Sequence, residues 1–360
     1  MKLLYITNGI NGSGGLERVL SLKASYFAEV FAYEVHILVL NNTDQNRFFK
    51  FSEKIKFHSI PATGNPVSYF LKYKNGIQNT VNHIRPDIIL VCDDGLKAFF
   101  IPLFLKTNAK IIYERHVSKL IEAREGRNFV KKNLTVAKWM IMEKLAKTFS
   151  KFIVLTEGNK KDWTSLKNME VIPNPLSFYP EKCSTLENNV VICVGKISYQ
   201  KGQDLLVQAW QNVNEIFPDW QLHLYGKEDL SVLDTNNLSH NIKYYPPVKN
   251  IEEKYLASSI YVMSSRFEGF GMVLTEAMSF GVPCVAFDCD YGPSDIIKNE
   301  IDGFLVEKEN TKQLAEKLLL LINNAELRKQ MGQKAKVSVK AYHIQEIAGQ
   351  WKNLFNSLIS

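Results

Sequence analysis

At 360 residues, 46% hydrophobic and 22% charged, the chain is long enough to bury two cores and too apolar for wholesale disorder. Its five cysteines (Cys92, Cys183, Cys193, Cys284 and Cys289) form no CxxC pair and no zinc-type spacing, which points to a reducing compartment. The N-terminus lacks a signal-peptide cleavage pattern and no apolar run approaches the roughly 20 residues of a membrane span, so a cytoplasmic protein, soluble or peripheral, is expected despite the net charge of +7.

Short β-rich runs at Leu3–Thr7, Glu34–Leu40, Asp87–Val91, Lys110–Tyr113 and Phe152–Leu155 alternate with helix-like segments and predict a parallel sheet between helices. The first run feeds a glycine-rich loop holding Gly14 and Gly15, which leads into a helix from about Leu16. Such a loop lets backbone amides approach an anion, but its spacing is not GxGxxG and a ligand-free loop is the plain alternative. Asp93-Asp94-Gly95 is a polar strand-end loop open to an acceptor.

Between Lys119 and Lys147 stand eight basic residues against three acidic ones. Within this stretch Val130, Leu134, Ala137, Ile141 and Leu145 recur at helical spacing, which puts Trp139 on the opposite side, near Lys132 and flanked by Lys131 and Lys138. A solvated face is one reading. The other is a surface resting on anionic lipid with Trp139 at the interface.

Prolines on both sides of Asn174 oppose regular structure, so the predicted domains are 1–176 and 177–345, followed by a helix at 346–360 that is expected to pack back on the first. The second half repeats the alternation with Val190–Val194, Gln221–Tyr225, Ile260–Met263 and Pro283–Phe287. Its first strand is followed by a turn shaped by Gly195 and Gly202. There Lys196 and Lys201 stand at a strand's carboxyl end, where open α/β sheets bind ligands, and suit a diphosphate.

The most informative run is Ser265-Arg-Phe-Glu-Gly-Phe-Gly-Met-Val-Leu-Thr-Glu-Ala-Met-Ser-Phe-Gly-Val-Pro283. Gly269 and Gly271 permit a tight turn, and a helix from Met272 to Phe280 follows, stopped by Gly281 and Pro283. The unpaired amides and positive end of that helix make a phosphate seat. Glu268 before the turn and Glu276 beyond it can each accept from a hydroxyl-rich group. A phosphate between two polyols describes a nucleotide sugar.

In this order and spacing, Gly-Gly-Leu-Glu-Arg18, Pro-Asn-Pro175, Val-Gly-Lys196 with Lys201-Gly202, the Glu268–Glu276 block, Gly-Val-Pro283 and Asp-Gly-Phe-Leu305 resemble the retaining glycosyltransferases of family 4 over nearly the whole chain. The resemblance implies the GT-B fold, an α/β architecture of two doubly wound, Rossmann-like domains facing across a cleft. It implies transfer of a sugar from a nucleotide-diphosphate sugar, UDP by preference, to a glycan or polyprenyl-linked acceptor in cell-surface polysaccharide synthesis. In that scheme Glu268 holds sugar hydroxyls, Glu276 the ribose, and Phe270, Gly271, Met272 and Val273 line the donor through their backbone. Lys201 neutralises the diphosphate, and Gly14 and Gly15 close on it from the first domain. His116 in Tyr-Glu-Arg-His116 matches a histidine near the reacting centre, although a lone strand-end histidine is more often structural. Where the family usually has arginine after Val-Gly, Lys196 keeps the charge and loses the planar fork.

No cofactor and no obligatory metal are implied, so Asp288-Cys-Asp290 is discounted as a metal motif. The expected partners are the donor, the glycan acceptor and an anionic membrane surface, without nucleic acid. A nucleotide-sugar 2-epimerase of the same fold and a non-catalytic nucleotide-sugar-binding subunit are the rival readings.

Overall fold

The computed structural model describes residues 1–41, 46–119 and 129–359, with side chains of 129–132 outside the description. The chain divides into two compact units, Met1–Ser177 with Ile344–Ser360, and Phe178–His343. The first half runs β1 (Lys2–Thr7), α1 (Gly15–Glu29), β2 (Glu34–Leu40), β3 (Lys56–Ile60), α2 (Pro66–Ile84), β4 (Ile88–Cys92), α3 (Leu96–Phe99), α4 (Ile101–Phe104), β5 (Lys110–Glu114), α5 (Phe129–Ala146), β6 (Lys151–Val154), α6 (Glu157–Lys160) and β7 (Met169–Val171). The second runs β8 (Val190–Val194), α7 (Gln203–Ile216), β9 (Gln221–Tyr225), β10 (Ile242–Tyr245), α8 (Ile251–Leu256), β11 (Ile260–Met263), α9 (Met272–Ser279), β12 (Cys284–Asp288), α10 (Pro293–Ile296), β13 (Gly303–Glu307), α11 (Thr311–Asn323) and α12 (Ala325–Ser338), and α13 (Ile344–Ile359) returns to the first unit.

In the N-terminal unit seven parallel strands lie in the order β3-β2-β1-β4-β5-β6-β7. Side chains alternate between two cores. Leu4, Ile6, Ile89 and Tyr113 face α2 to α5, while Leu3, Tyr5, Leu90 and Ile112 face α1 and α13. In α13, Trp351, Leu354 and Phe355 form the buried stripe that holds it there. Helix α2 begins with Asn65 accepting from the Ser68 amide at 2.9 Å and Pro66 in its first turn, and ends at left-handed Arg85.

The C-terminal sheet has six parallel strands in the order β10-β9-β8-β11-β12-β13. In each unit the chain first fills one side of the sheet and then the other, so the loops after β1 and β4, and after β8 and β11, part at the switch of direction. Ligands bind at such a crevice in open sheets of this kind.

Two sequence-based expectations change. Strands β3, β7, β10 and β13 were not among the predicted runs, and they are the four sheet edges. Burial patterns in β3, β7 and β10 are mostly half-covered, so their sequences carry polar residues where a central strand would be apolar. Helix α5 is also rotated relative to the expectation. Leu134, Val136, Met140 and Ile141 are 64%, 52%, 67% and 46% exposed and Ala137 is exposed too, whereas Met142 and Ala146 are buried. Trp139 faces inward, edge-on to buried Trp163 with ring centroids 6.1 Å apart and Arg115 5.2 Å from its ring. The inner face is thus chosen by aromatic packing that the apolar periodicity does not encode. Val130 and the side chains of Lys131 and Lys132 fall outside the described residues. No described helix is long and apolar enough to cross a membrane.

Candidate active site

The loops after β8 and β11 are laced together before either presents a side chain. The Arg266 amide donates to the Gln200 carbonyl at 2.7 Å, Ser264 Oγ to the Lys201 carbonyl at 3.0 Å and Gln200 Nε2 to the Phe267 carbonyl at 3.2 Å. The Arg266 guanidinium grips Asp204 through two nitrogens at 2.9 and 2.6 Å, meets Glu309 at 3.2 Å and lies 4.2 Å from the Tyr199 ring. Gly202, at φ +63, is required here because a Cβ would run into the Ser264 carbonyl.

On this frame Lys201 Nζ sits 2.7 Å from Glu268 Oε1, which also accepts from Ser265 Oγ at 2.6 Å. The carboxylate is almost fully buried and the lysine largely covered, with side-chain exposures of 5% and 24%. Both donors converge on Oε1, so among the described residues Oε2 is left to accept from a ligand hydroxyl. The ammonium has two further hydrogens for phosphate oxygens. Cys193 beneath them is inert, since burial, together with the Glu268 charge and despite Lys201, pushes its thiol up to about 12. Lys196 is exposed, and its backbone is fixed by Gln203, whose amide nitrogen donates to the Lys196 carbonyl at 3.1 Å.

Helix α9 starts where expected. Gly271 stands at its N-cap with φ +95, which favours glycine, and no side chain caps that end among the described residues. The amides of the partly exposed Met272 and Val273 are therefore the orphan donors of the first turn. Phe270 is 4% exposed and packs edge-on against Tyr342 at 5.5 Å, so only its backbone is free to serve a ligand. Glu276, in the second turn, is 1% exposed and accepts from the Tyr255 hydroxyl at 3.2 Å. Asp290, the end of the discounted DxD run, pairs with Lys308 at 2.9 Å.

Gly14, Gly15 and His116 belong to the N-terminal unit. Gly14 is the N-cap of α1, and the Glu17 carboxylate folds back over it, so that any Cβ at Gly14 would collide with that side chain. The Asp93 side chain is occupied within the fold, accepting from Asn8 at 2.7 Å and the Gly95 amide at 2.8 Å. His116 follows β5 and its Nε2 lies 3.4 Å from Glu114 Oε2, out of line for a hydrogen bond. Glu114 in turn is bonded by Lys23 of α1 in an ion pair whose side chains are each 3% exposed. Trp351 covers that ammonium, its ring centroid 4.1 Å away. Burial alone would raise the Glu114 carboxyl, but Lys23 and the His116 ring outweigh it and lower it to about 2. Ligand atoms of Cys92, Glu114 and His116 lie within 4.8 Å of one another. A cation there would compete with the Lys23 ammonium, and burial holds the Cys92 thiol well above its ordinary value, which keeps it protonated.

Lys23, Glu114, Gln203, Ser265, Arg266 and Tyr255 escaped the sequence reading as site-supporting residues. Ser265 and Arg266 stand inside the quoted Glu268 run, where adjacency was the available signal. Lys23 and Glu114 are 91 residues apart, and nothing local pairs them.

Residues 180–338 match the family model described as "Glycosyl transferases group 1". An uncharacterized glycosyltransferase of Haemophilus influenzae is 30% identical over 369 residues, spanning 98% of this chain and 99% of the relative. The amylovoran biosynthesis glycosyltransferase AmsD of Erwinia amylovora is 28% identical over 99% of both chains. A mutant of S. aureus TarM, solved with Fondaparinux, alpha-GlcNAc-glycerol and UDP, superposes with a TM-score of 0.77 at 17% identity over 99% of both chains. With two parallel α/β units and a full-length relative at this identity, the fold is GT-B and the chain belongs to the group 1 glycosyltransferases.

Proposed function

We propose that this glycosyltransferase is a retaining enzyme that moves a sugar from a nucleoside diphosphate, UDP by preference, to a glycan or polyprenyl-linked glycan in cell-surface polysaccharide synthesis. The observation that carries the reading is the buried Lys201–Glu268 pair beside the uncapped end of α9. Breaking the sugar–phosphate bond builds negative charge on the diphosphate and positive charge on the sugar. Lys201, Lys196 and the amides of Met272 and Val273 are suited to the first, and the Glu268 carboxylate to the second. Because Lys201 and Glu268 touch, the two charges develop against a preformed and nearly neutral pair that needs little reorganisation. No covalent nucleophile is assigned, and in same-face transfer the leaving phosphate takes the acceptor's proton. UDP in the TarM structure supports the choice of nucleotide, and the amylovoran relative supports the polysaccharide context.

The test is a mass-spectrometric screen of nucleotide sugars against polyprenyl-diphosphate glycans, with the product anomer assigned by NMR. Inversion at the anomeric carbon would overturn the retaining assignment, and acceptor-independent nucleotide release would favour the epimerase. Glu276→Ala is expected to weaken UDP binding by about tenfold to a hundredfold, the scale of a charge-assisted hydrogen bond, while turnover at saturating donor falls less. Titration calorimetry with UDP reads the first, and unchanged affinity removes Glu276 from the ribose. Lys196→Arg, which adds a planar fork at an exposed position, is expected to keep near-normal kcat/KM.

A further inference from the structure

Glu114 occupies a position that the sheet would ordinarily fill with an apolar side chain. Ile112 and Glu114 point to the same face of β5, and Ile112 lies with Leu3, Tyr5 and Leu90 in the core beneath α1 and α13. Replacing a buried ion pair by apolar groups of similar volume is commonly neutral or stabilising, so the stability of this core does not account for Lys23 and Glu114. Their geometry supplies another role. Lys23 Nζ and His116 Nε2 both address one oxygen, Glu114 Oε2, the histidine from 3.4 Å.

Glu114 is the last residue of β5, and His116 follows it at the carboxyl end of the sheet, where open α/β sheets bind ligands. The backbone between them is anchored. The Arg115 amide donates to the Ile153 carbonyl at 2.9 Å, and its guanidinium to Asp94 Oδ1 at 3.1 Å. The side chains of Glu114 and His116 are 3% and 7% exposed, and Nε2 is buried with no hydrogen-bond partner among the described residues. Burial opposes ionisation of the carboxyl, but Lys23 beneath Trp351 keeps it charged. A neutral imidazole carries its hydrogen on one nitrogen and a lone pair on the other, and what faces the first decides the role of the second. A fixed carboxylate repels a lone pair on Nε2 and attracts an N–H, which a small turn of the ring brings into line.

We infer that Glu114, held by Lys23, is a positioning residue for sugar transfer: it fixes the His116 hydrogen on Nε2 and leaves Nδ1 as the acceptor for a substrate hydroxyl. The inference rests on the reading of His116 as a residue beside the reacting centre. Lys23 fixes the carboxylate, the carboxylate fixes the ring, and only the ring meets the substrate. Nδ1 orients the hydroxyl by accepting its hydrogen bond, and no proton moves along the chain of three.

The test is long-range proton–nitrogen NMR of the full chain carrying isotope-labelled histidine, at about pH 9, well above the ordinary imidazole range. His116→Gln identifies the His116 signals among those of the seven histidines. The wild type is expected to carry the hydrogen on Nε2. In Lys23→Met with Glu114→Leu a buried Nε2–H would have no acceptor, so the hydrogen should move to Nδ1. The same pair of substitutions should lower kcat by about tenfold to a hundredfold with donor KM little changed, the scale on which loss of an orienting partner acts. Combined with His116→Gln, it should cost nothing further. Circular dichroism verifies that each variant folds. A wild-type hydrogen on Nδ1, a ring protonated on both nitrogens at that pH, or a tautomer that Lys23→Met with Glu114→Leu leaves unchanged would each overturn the inference. So would an equal loss of kcat with and without His116, since the pair would then act through packing. Normal turnover in His116→Gln alone would remove His116 from the reaction, a failure distinguishable from the others because the tautomer is read without substrate.

Discussion

Glu268→Gln is expected to lower turnover by about 10²–10³-fold at saturating donor and acceptor, because a carboxylate facing developing positive charge becomes a neutral amide of the same shape. Lys201→Ala should cost on the order of 3 kcal/mol in transition-state stabilisation. The two losses should not add. Lys201 Nζ and Glu268 Oε1 are 2.7 Å apart, so either variant leaves the other group without its counter-charge in a covered site. The double variant should therefore be only modestly slower than the worse single one. Steady-state rates for all three variants, with UDP affinity measured alongside, are the check. Near-normal turnover in Lys201→Ala would remove that lysine from the leaving group, and strict additivity would mean that the ion pair has no part in the chemistry.

The second large effect concerns folding and the ground beneath His116. Glu114→Gln should destabilise the N-terminal unit by about 3–5 kcal/mol, since it strands the Lys23 ammonium under Trp351 with no opposite charge. Adding Lys23→Met should recover most of that loss by replacing the stranded charge with an apolar chain of similar length. The pH dependence has a definite sign. The folded carboxyl, lowered to about 2, lies below its ordinary value of 4.5, so its contribution is fully present above about pH 4.5 and is lost as pH falls toward 2. Urea titrations across that range should show a steep acid-side fall in the wild type and a flatter one in the double variant. A double variant no more stable than Glu114→Gln alone would show that the cost lies in packing and not in the unpaired charge.

The sequence determined the nine central strands' existence, the α9 turn and the spacing of Lys201, Glu268 and Glu276. These are local matters: short apolar runs rich in β-branched residues and bounded by turn signals read as covered strands, and a glycine turn opening a helix is readable from Gly271 and its neighbours. Small displacements, such as β4 at Ile88–Cys92 where 87–91 was expected, reflect the softness of strand ends.

Tertiary structure alone decided three things. It assigned the edges, because β3, β7 and β10 are strands by virtue of one neighbour each and need no unbroken apolar sequence. It paired Lys23 with Glu114, because two charges 91 residues apart meet only when α1 packs beside β5. It also turned α5. That helix carries apolar residues around most of its circumference, so periodicity supports more than one inner face. Trp163 and Arg115, outside the helix, supply the partners that draw Trp139 in and leave Leu134, Met140 and Ile141 facing outward.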